Sequence, residues 1–583
     1  EIPLRGKNEF GIVRSLAAAS SYENLKAINK IIQTKPFLSE DCLNFLEEIS
    51  ILYRSSLGSL LKSALPPLKK RKLNNIGVQA TKTTIVKKIF EKPKVFTYQD
   101  TADKKSYLEN AISKNGQTLI LVPEAADAER LRELVRGQKS VCVITGYITY
   151  KELFDVWLKV WRGEVDIIIG TRRALMMSYH NLGTIVIDDA WHQSHKSWDA
   201  APRIHTRDAA IIAAKNYGSK VHIISHTPSL EDYFFAKHGV YDSRPGRILP
   251  APFSPEIIDL RHEAKIKNFS PISHTLMEAL TATTRGSIFL YCNRRGSASY
   301  VTCRDCSKVL KCKVCDRAQT FHERESAMKC HYCRNSTPMS PGCAACGGVN
   351  LMYLGRGTES VAKELKKNLP NDEREIISLE NSEKTLELLK SDKSQIIVGT
   401  QLAWPQLDWS KLSLMAFIDA DTPLFVPEFR SAEHLWDLAH DAYARMGEKG
   451  AIYIQTSHPE HPVYAYLERP EAFYDSELEQ RKAFGYPPFK YLLKLMVGAG
   501  SREAGKRECD HFIKKLTELT KGSLDIKITP PLEPLPPFQN GQYWHAIIIK
   551  LSYKNYKQNL RIINAIVPET WKIDPNPNTL LGL

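Results

Sequence analysis

The chain has 583 residues, too many for one hydrophobic core, so we expect three to five domains. Hydrophobic residues make up 43% and charged residues 25%, as in ordinary globular proteins, and no run of 18 apolar residues indicates a membrane span. The net charge of +15 favours a polyanionic partner, and the opening "EIPLRGKNEF", without Met or an apolar signal region, predicts a cytosolic protein whose first residues precede this sequence.

The first 67 residues predict a strand pair followed by helices. The strands are "EIPL" and "FGIVRSL", joined by the polar turn "RGKNE". Apolar residues at three- and four-residue steps in "LKAINKII" and "CLNFLEEISILY" predict helices. Three short helices in residues 19–67 suit a winged-helix-like domain.

A strongly basic segment comes next. From Lys62 to Lys94 the chain carries ten basic residues and one acid, Glu91. We predict that residues 68–94 are a linker that contacts DNA phosphates through its "KKRK" run; the alternative is a solvated linker without a ligand. The residues of that run are Lys69, Lys70, Arg71 and Lys72.

Residues 95–250 and 251–465 each alternate short apolar strands with helices. Strands that are almost entirely apolar belong in parallel sheets covered on both faces, so the pattern predicts two α/β lobes. The predicted strands are "TLILVPE", "VCVITG", "VDIIIGT", "TIVIDD" and "KVHIISH" in the first lobe, and "SIFLYCN", "REIISLE", "QIIVGT", "LSLMAFIDAD" and "GAIYIQT" in the second. The second lobe comprises residues 251–300 and 350–465, with an insertion after its first strand, and residues 466–583 predict a smaller α/β domain.

The insertion, residues 301–349, holds eight of the 12 cysteines in four CxxC pairs. Two such pairs supply the four thiolates of a tetrahedral structural zinc site, so the spacing predicts two zinc ions without a catalytic role. His322 and His331 are competing ligands, although four complete pairs leave no vacancy for them. The pairs are Cys303 and Cys306, Cys312 and Cys315, Cys330 and Cys333, and Cys343 and Cys346.

The run "LYCNRRGSASYVTCRDCSKVLKCKVCD", followed by "MKCHYC", "CAACG" and "GRGTE", resembles the bacterial PriA (primosomal protein N′) family of replication-restart helicases. The similarity extends to "IPLRGKNEFGIV", "IIIGTRRAL", "DADTPLFVPEFRSAEHL" and "GYPPF". It implies two RecA-like helicase lobes, and it makes residues 1–18 the last strands of a 3′-DNA-end-binding domain. It also implies nested zinc sites, one held by Cys303, Cys306, Cys343 and Cys346 and the other by Cys312, Cys315, Cys330 and Cys333.

The same resemblance implies a bacterial, cytoplasmic, nucleoid-associated protein that binds forked and single-stranded DNA. Its expected protein partners are primosome and replicative-helicase loading proteins and the single-stranded-DNA-binding protein, and residues 466–583 become a DNA- and primosome-binding domain. Trp198 falls in the family's aromatic-rich loop, where it either stacks on a base or is buried. Arg294 and Arg295 either contact the DNA backbone or anchor the zinc module, while "GYPPF" is interpreted as a domain-junction turn.

The nucleotide site of the helicase family is altered at its phosphate-binding loop. Such a loop needs glycines whose amides surround the phosphates, a lysine and a Ser or Thr on magnesium. The corresponding stretch, "VFTYQDTADKKSYLENAI", contains no glycine. Asp103 stands at the lysine position and Lys104 at the Ser/Thr position.

Other motifs of this site are altered as well. The family's Asp-Glu-Glu-His reads Asp188-Asp189-Ala190-Trp191. In the arginine-finger segment Arg445 is retained, but Glu448 replaces the second arginine. Pro405 and Gln406 replace a Lys-Gly pair. Because these changes all face one cleft, we predict that ATP and Mg²⁺ are no longer used and that no residue is catalytic.

The leading hypothesis is therefore a fork-binding, primosome-assembly protein with a non-hydrolysing helicase fold. An active 3′→5′ DNA helicase with unusual ATP contacts is the first alternative. A zinc-stabilised interaction scaffold without DNA binding is the second, and the net charge of +15 argues against it.

Overall fold

We describe the protein from a computed structural model. The described residues are 2–4, 7–9, 11–13, 19, 26–31, 38–65, 90–114, 116–137, 139–146, 148–197, 201–243, 248–268, 270–293, 300–303, 305–306, 310–313, 319–322, 326–330, 335–339, 342–354, 357–379, 393–426, 428–447, 450–520 and 526–582. No described helix is both long enough and apolar enough to cross a bilayer.

The N-terminal segment differs from its prediction in two places. An antiparallel pair does form, between β1 (Ile2–Leu4) and β2 (Lys7–Glu9), but the second strand lies within the predicted turn, and residues 11–13 of the predicted strand are not in a strand. Residues 26–31, predicted as helix, have no helical structure. The described helices are α1 (Glu40–Tyr53) and α2 (Leu57–Ala64), and their apolar faces share one hydrophobic core with lobe 1 and the C-terminal sheet. These helices therefore pack as part of a larger body.

Lobe 1 is a six-stranded, wholly parallel sheet in the order β3-β8-β7-β4-β6-β5. All five predicted strands are present, and β3 was not predicted because only half of its residues are buried. The elements are β3 (Lys94–Thr97), α3 (Thr101–Ala111), β4 (Gln117–Leu121), α4 (Ala125–Leu134), β5 (Val141–Ile144), α5 (Tyr150–Arg162), β6 (Ile167–Gly170), β7 (Leu182–Asp188), α6 (Thr206–Tyr217), β8 (Lys220–Ser225) and α7 (Leu230–Lys237).

Lobe 2 begins with β9 (Glu256–Asp259), α8 (Leu260–Lys265), α9 (His274–Ala282) and β10 (Ser287–Tyr291). The cysteine-rich insertion thus follows the second strand of this lobe, whereas the sequence predicted that it follows the first. The insertion contains short antiparallel strands, in which β11 pairs with β15 and β13 lies between β12 and β14. They are β11 (Tyr300–Cys303), β12 (Thr320–His322), β13 (Ala327–Lys329), β14 (Ser336–Pro338) and β15 (Leu351–Leu354).

The chain then returns to complete the second parallel sheet, in the order β16-β17-β10-β18-β19-β9. The remaining elements are α10 (Thr358–Asn368), β16 (Glu375–Ser378), β17 (Gln395–Gly399), β18 (Leu412–Phe417), α11 (Ser431–Met446), β19 (Ala451–Thr456), α12 (Pro462–Ala465) and α13 (Pro470–Phe484). The two parallel α/β lobes expected from the apolar strands are present. A core shared by both lobes contains Trp191, Leu230 and Tyr233 from lobe 1.

The C-terminal part is an antiparallel sheet covered by two helices. Its long central pair runs over the full length of β20, and β21 and β24 flank that pair. The elements are β20 (Tyr491–Ala499), α14 (Arg502–Leu519), β21 (Ile526–Ile528), β22 (Phe538–Gln539), β23 (Gln542–Leu551), α15 (Tyr556–Ile566) and β24 (Lys572–Pro575). A buried ion pair, Lys196 Nζ to Asp574 Oδ1 at 2.8 Å, joins this sheet to lobe 1.

Candidate functional site

The cleft between the lobes collects polar side chains from the carboxyl ends of adjacent strands. In parallel sheets these ends form the usual ligand-binding edge. Tyr98 directly follows β3, Asp188 ends β7, and His226 directly follows β8. Since β3, β8 and β7 are neighbours in the sheet, the three residues meet at one edge. This edge is the place where the sequence predicted an altered nucleotide site.

Carboxylates of the chain itself fill the N-terminus of α3. Asp100 caps the helix by accepting a hydrogen bond from the Asp103 backbone N–H at 2.8 Å. The Asp103 carboxylate accepts one from the Gln99 N–H at 3.1 Å. Helix N-termini bind phosphates because their amides are unpaired and the helix dipole attracts anions. Here two anionic side chains occupy that position, and an incoming phosphate would face both of them.

Lys104 is bound to the first acid of the opposing motif. Its Nζ lies 2.7 Å from Asp188 Oδ1 and 2.8 Å from Asp188 Oδ2, in a pair that is almost completely buried. It also lies 3.9 Å from Asp189 Oδ2 and 4.9 Å from the centre of the Tyr98 ring. A divalent cation on Asp188 would occupy the same oxygens, so the ammonium group and the metal exclude each other.

The second acid of the motif, Asp189, is buried and almost inaccessible to water. It adopts a left-handed backbone conformation with φ of 47° and accepts a short hydrogen bond from the Tyr98 hydroxyl. Burial alone would raise the pKa of Asp189, but Lys104, His226 and Arg445 outweigh it and hold this pKa well below its usual value. Burial raises the pKa of Asp188 to about 6, against the opposing effect of Lys104. The positively charged side chains around Asp189 therefore favour its ionised form.

Lobe 2 closes the network from the other side. Arg445 Nε lies 2.7 Å from Asp441 Oδ1, and Arg445 Nη2 lies 3.9 Å from Asp189 Oδ2. The ring of His226 lies between the two acids, 3.6 Å from Asp189 Oδ1 and 3.5 Å from Asp441 Oδ1. Trp404 Nε1 donates to Asp441 Oδ2 at 2.5 Å. The guanidinium of Arg445 is thus paired with carboxylates of the protein.

Two further altered positions lie near this network. Trp191 is buried, with its ring 5.6 Å from the His226 ring in an edge-on contact. Pro405 lies inside the 3₁₀ helix Gln401–Gln406, which also carries Trp404. Both positions are occupied by groups without charge. Glu448 lies outside the described residues.

Sequence reasoning missed Tyr98, His226, Trp404 and Asp441 as members of the cleft. The signal for His226 was its place at the end of the predicted strand "KVHIISH", whereas Tyr98 follows β3, which the sequence pattern did not predict. Nothing in the sequence alone indicated that Asp441 of α11 faces lobe 1, because that contact depends on how the lobes pack. The sequence did bring attention to Asp103, Lys104, Asp188, Asp189 and Arg445, all of which lie in or beside the cleft.

Four cysteines of the insertion converge on one point. The sulfurs of Cys303, Cys306, Cys343 and Cys346 all lie within 4.8 Å of one another. The Sγ–Sγ distances are 3.6 Å for Cys303 to Cys346 and 3.7 Å for Cys306 to Cys343. A tetrahedral zinc ion with Zn–S bonds of about 2.3 Å requires sulfurs about 3.8 Å apart. The cluster therefore fits one zinc ion.

Backbone N–H groups point to two of these sulfurs, although, against the effect of the Gly348 N–H, the neighbouring thiols raise the pKa of Cys346 to about 12. The N–H of Ala345 points to Cys343 Sγ at 3.4 Å, and the N–H of Gly348 points to Cys346 Sγ at 3.4 Å. The amide of Ala345 lowers the pKa of Cys343 to about 7. The members of this cluster are the first and fourth CxxC pairs, the combination implied by the family resemblance.

The structure describes two of the four cysteines of the second predicted cluster. Cys312 and Cys330 are both buried and pack against each other. The Asn335 side-chain amide lies 3.7 Å from Cys312 Sγ. Cys315 and Cys333 lie outside the described residues, so the second zinc site stays a prediction.

The residues predicted to contact DNA are not among those that the structure describes. They are Lys69, Lys70, Arg71, Lys72, Trp198, Arg294 and Arg295. Their roles stay predictions from the sequence.

A sequence profile of the family described as 3′ DNA-binding domain (3′BD) matches residues 1–66. The matched range includes the 18 residues that the resemblance assigned to such a domain, and also most of the predicted winged-helix-like segment.

Proteins named "Replication restart protein PriA" are similar over most of the chain. The Bacillus subtilis protein is 31% identical over 482 residues, which are 78% of this chain and 58% of the relative. The Haemophilus influenzae protein is 29% identical, with 78% and 64% covered. The Borreliella burgdorferi protein is 26% identical over 602 residues, with 95% and 88% covered. The chain thus spans about three fifths of the length of the first two relatives.

Among solved structures, yeast Dbp5 bound to RNA and ADP BeF3 overlaps with a TM-score of 0.36 at 11% identity, covering 76% of this chain and 96% of that chain. A DEAD box protein from Methanococcus jannaschii overlaps with a TM-score of 0.31 at 16% identity, covering 65% of this chain and 86% of that chain.

Proposed function

We propose that this chain, which is similar over most of its length to PriA replication restart proteins, binds abandoned or stalled replication forks. We propose further that it promotes primosome assembly and replicative-helicase loading without hydrolysing ATP. One observation carries the second half of this proposal. Lys104 of the chain forms a buried bidentate ion pair with Asp188, the acid expected to hold magnesium.

The rest of the cleft supports the same reading. Phosphate binding needs free amides at the N-terminus of α3, and these amides face Asp100 and Asp103. Transition-state stabilisation needs a free arginine, and Arg445 is paired with Asp441. Removing one transition-state donor typically costs about 10²–10³ in rate. Among the described residues of the cleft, Lys104, Asp188 and Arg445 are therefore each paired with an opposite charge of the chain.

Contacts between the lobes support a static arrangement. Motor ATPases open and close the cleft around nucleotide during each cycle. Here Glu231 of lobe 1 is bound by Arg430 of lobe 2, and Arg481 Nη2 lies 2.8 Å from Glu433 Oε2 in the same buried cluster. Glu433 also accepts a hydrogen bond from the Leu230 N–H at 2.8 Å. Separating the lobes would take the Glu231 carboxylate away from Arg430 and Arg481, whereas Glu433 would keep both arginines. The loss of these partners of a buried carboxylate opposes opening of the cleft.

DNA recognition rests on parts of the chain that do not need nucleotide. Residues 1–66 match the 3′ DNA-binding domain profile, and the basic residues 68–94 and the net charge of +15 favour phosphate contacts. The predicted zinc ions have a structural role, because sites closed by four thiolates leave no position for water.

The test is to measure ATP hydrolysis and fork binding on the same sample. We expect fork binding that is unchanged by ATP and Mg²⁺, and no hydrolysis stimulated by forked DNA. The active-helicase alternative predicts stimulated hydrolysis that Asp188→Ala abolishes and the exposed control Asp155→Ala preserves; that result would refute the loss of ATPase activity. The scaffold alternative predicts no fork binding at either of two salt concentrations, and that result would refute the DNA-binding half.

A further inference from the structure

Three aromatic rings contact one another in succession where lobe 2 meets the C-terminal sheet, and we refer to them as a row. Phe429 stacks on Tyr486 with ring centres 5.1 Å apart and planes at 24°. The Phe484 ring contacts the Tyr486 ring in a tilted arrangement, with ring centres 6.2 Å apart and an angle of 32° between the ring planes. Phe484 is the outermost of the three, and 64% of it is exposed. The exposed ring therefore presents a flat apolar face next to two further rings, an arrangement on which another planar group can stack.

The local sequence explains why Phe484 points outward. It is the last residue of α13, and Gly485 ends the helix with φ of 62°, a conformation that favours glycine. The Tyr486 N–H returns to the Arg481 carbonyl at 2.8 Å, which folds the chain back over the helix end. The segment "GYPPF" is indeed a turn between two elements, as predicted, but this turn also brings two aromatic side chains together.

Arg481 links the two chain segments that carry the row. Its Nη2 donates to the Phe429 carbonyl at 3.1 Å, and its Nη1 donates to the Pro487 carbonyl at 3.3 Å. The guanidinium groups of Arg430 and Arg481 lie 4.8 Å and 5.2 Å from the Phe429 ring centre. Two segments distant in sequence are thereby held in one geometry, so the rings are preorganised.

Lysines surround the same rings. Lys550 Nζ lies 4.1 Å from the Tyr486 ring centre and donates to the Phe484 carbonyl at 2.6 Å. The side chains of Lys490 and Lys550 both pass within 4 Å of the position that a Cβ on Gly485 would take. Lys527 is directly opposite Lys550 in the β21–β23 pair. Like charges facing each other across a strand pair are destabilising, and an anion between them removes that penalty.

One acid close to these rings is already bound by other groups of the chain. Glu428, the carboxylate that acts on Tyr486, is engaged by the Thr579 hydroxyl and by the N–H groups of Leu580 at 2.8 Å and Leu581 at 2.6 Å. Lys527 is exposed and Lys490 is half-buried, so both can contact a ligand that carries negative charge, whereas Lys550 is buried and bound to the Phe484 carbonyl. The exposed ring of Phe484 offers such a ligand a flat apolar face.

We propose that the row Phe429–Tyr486–Phe484 and its rim, Lys490 and Lys527, form a binding site for single-stranded DNA. The first base stacks on the exposed face of Phe484, and the backbone phosphates lie along the lysines. Aromatic side chains combined with a basic groove bind single strands in this way with little sequence preference. This site rests on the proposed fork-binding function and assigns a place for the unpaired strand.

The test compares Phe484→Ala, Phe484→Trp and the matched control Tyr150→Ala, whose ring is 74% exposed on lobe 1. The probe is a fluorescent oligo-dT of about 15 nucleotides, within the usual size of such sites, together with an abasic strand of equal length. We expect Phe484→Ala to weaken oligo-dT binding by about 5- to 150-fold, Phe484→Trp to restore it, and the control to match wild type. On the abasic strand the variants should all bind alike.

A second variant tests the rim. Lys527→Gln should lower the slope of log affinity against log salt concentration by about 0.7 per lost phosphate contact. Binding of oligo-dT by Phe484→Ala within twofold of wild type, or an equal loss on the abasic strand, would overturn this site while leaving fork binding intact. If the wild-type chain bound neither forks nor oligo-dT, the proposed function itself would fail.

Discussion

Lys104 Nζ lies 2.7 Å from Asp188 Oδ1, and this pair bridges the two motifs that should hold nucleotide and magnesium. Both side chains are at least 87% buried, so neither charge is well solvated without the other. Breaking a buried pair by removing one partner costs about 3–5 kcal/mol, since the remaining charge is left unpaired.

Replacing Lys104 should therefore destabilise lobe 1. We expect Lys104→Met to lower the free energy of unfolding by a few kcal/mol at pH 8, about 3–5 at most, and Lys105→Met to leave it nearly unchanged, because Lys105 is exposed. Urea unfolding followed by tryptophan fluorescence measures both. Equal midpoints for the two variants would show that the Lys104–Asp188 pair does not stabilise the cleft.

The effect of Lys104→Met should also depend on pH. Burial raises the pKa of Asp188 to about 6 in the folded protein. Removing Lys104 raises it further, so the folded variant binds a proton more tightly than the unfolded chain does. Protonation then stabilises the folded state as pH falls towards the unfolded pKa near 3.9. The stability difference between Lys104→Met and Lys105→Met should narrow between pH 8 and pH 5; a constant difference contradicts this account.

Restoring the family's residues at one motif should not restore hydrolysis. The triple variant Ala102→Gly, Asp103→Lys, Lys104→Thr supplies Gly-Lys-Thr but leaves Asp189, Trp191 and the lobe 2 residues unchanged. Residues that act as a unit in catalysis do not contribute additively, so one repaired motif gives no turnover. Phosphate release with forked DNA measures this, with wild type as the control. Stimulated turnover by the triple variant would show that the second lobe is still competent.

Zinc content should be two ions per chain. Cys343→Ser should remove one zinc, and Cys312→Ser should remove the other, because each loses a thiolate of a separate site. Cys142→Ala, far from the insertion, should retain two. Elemental analysis gives the counts, and circular dichroism should show the lobes still folded. One zinc in the wild-type chain would refute the second site.

Arg481 should be essential for the contact between the lobes. Its side chain is 1% exposed and contacts Glu231 at 3.7 Å and Glu433 at 2.8 Å. Despite burial, Arg430 and Arg481 hold the pKa of Glu231 well below its usual value. Arg481→Met leaves these acids short of a partner and should cost about 3–5 kcal/mol, seen as faster hydrogen exchange in α7 and α11. The exposed control Arg469→Met should exchange like wild type; identical exchange in Arg481→Met contradicts the prediction.

The basic segment should contribute a salt-dependent share of DNA binding. Neutralising Lys69, Lys70, Arg71 and Lys72 together should weaken binding to all sequences and lower the salt slope by about 0.9 for each lost contact to duplex phosphate. Anisotropy titrations on forked DNA at several salt concentrations measure it. An unchanged slope would identify this run as a solvated linker.

Much of the secondary structure was predictable because it depends on local pattern. Strands β6 and β17 are fully buried and almost entirely apolar, and such runs are typical of a parallel sheet that is covered on both faces. The prediction failed where the pattern was weak. Residues 26–31 have helical spacing yet form no helix, and β3 and β9 are half-buried edge strands without a continuous apolar run.

The sequence by itself determined which chemical groups the cleft contains. The absence of glycine before α3, and Asp103, Lys104, Asp189 and Trp191 at their positions, follow from the order of residues alone. The four CxxC pairs likewise predicted metal ligation, since paired thiolates at that spacing have few other uses.

Only the tertiary structure decided what those groups do to one another. That Lys104 pairs with Asp188, 84 residues away, and that Cys303 meets Cys346 across the insertion are consequences of chain packing. The same holds for the row that joins Phe429 to Tyr486 and Phe484. Electrostatic and stacking energies fall steeply over a few ångströms, so they are set by distances that exist only once the strands, lobes and C-terminal sheet have assembled.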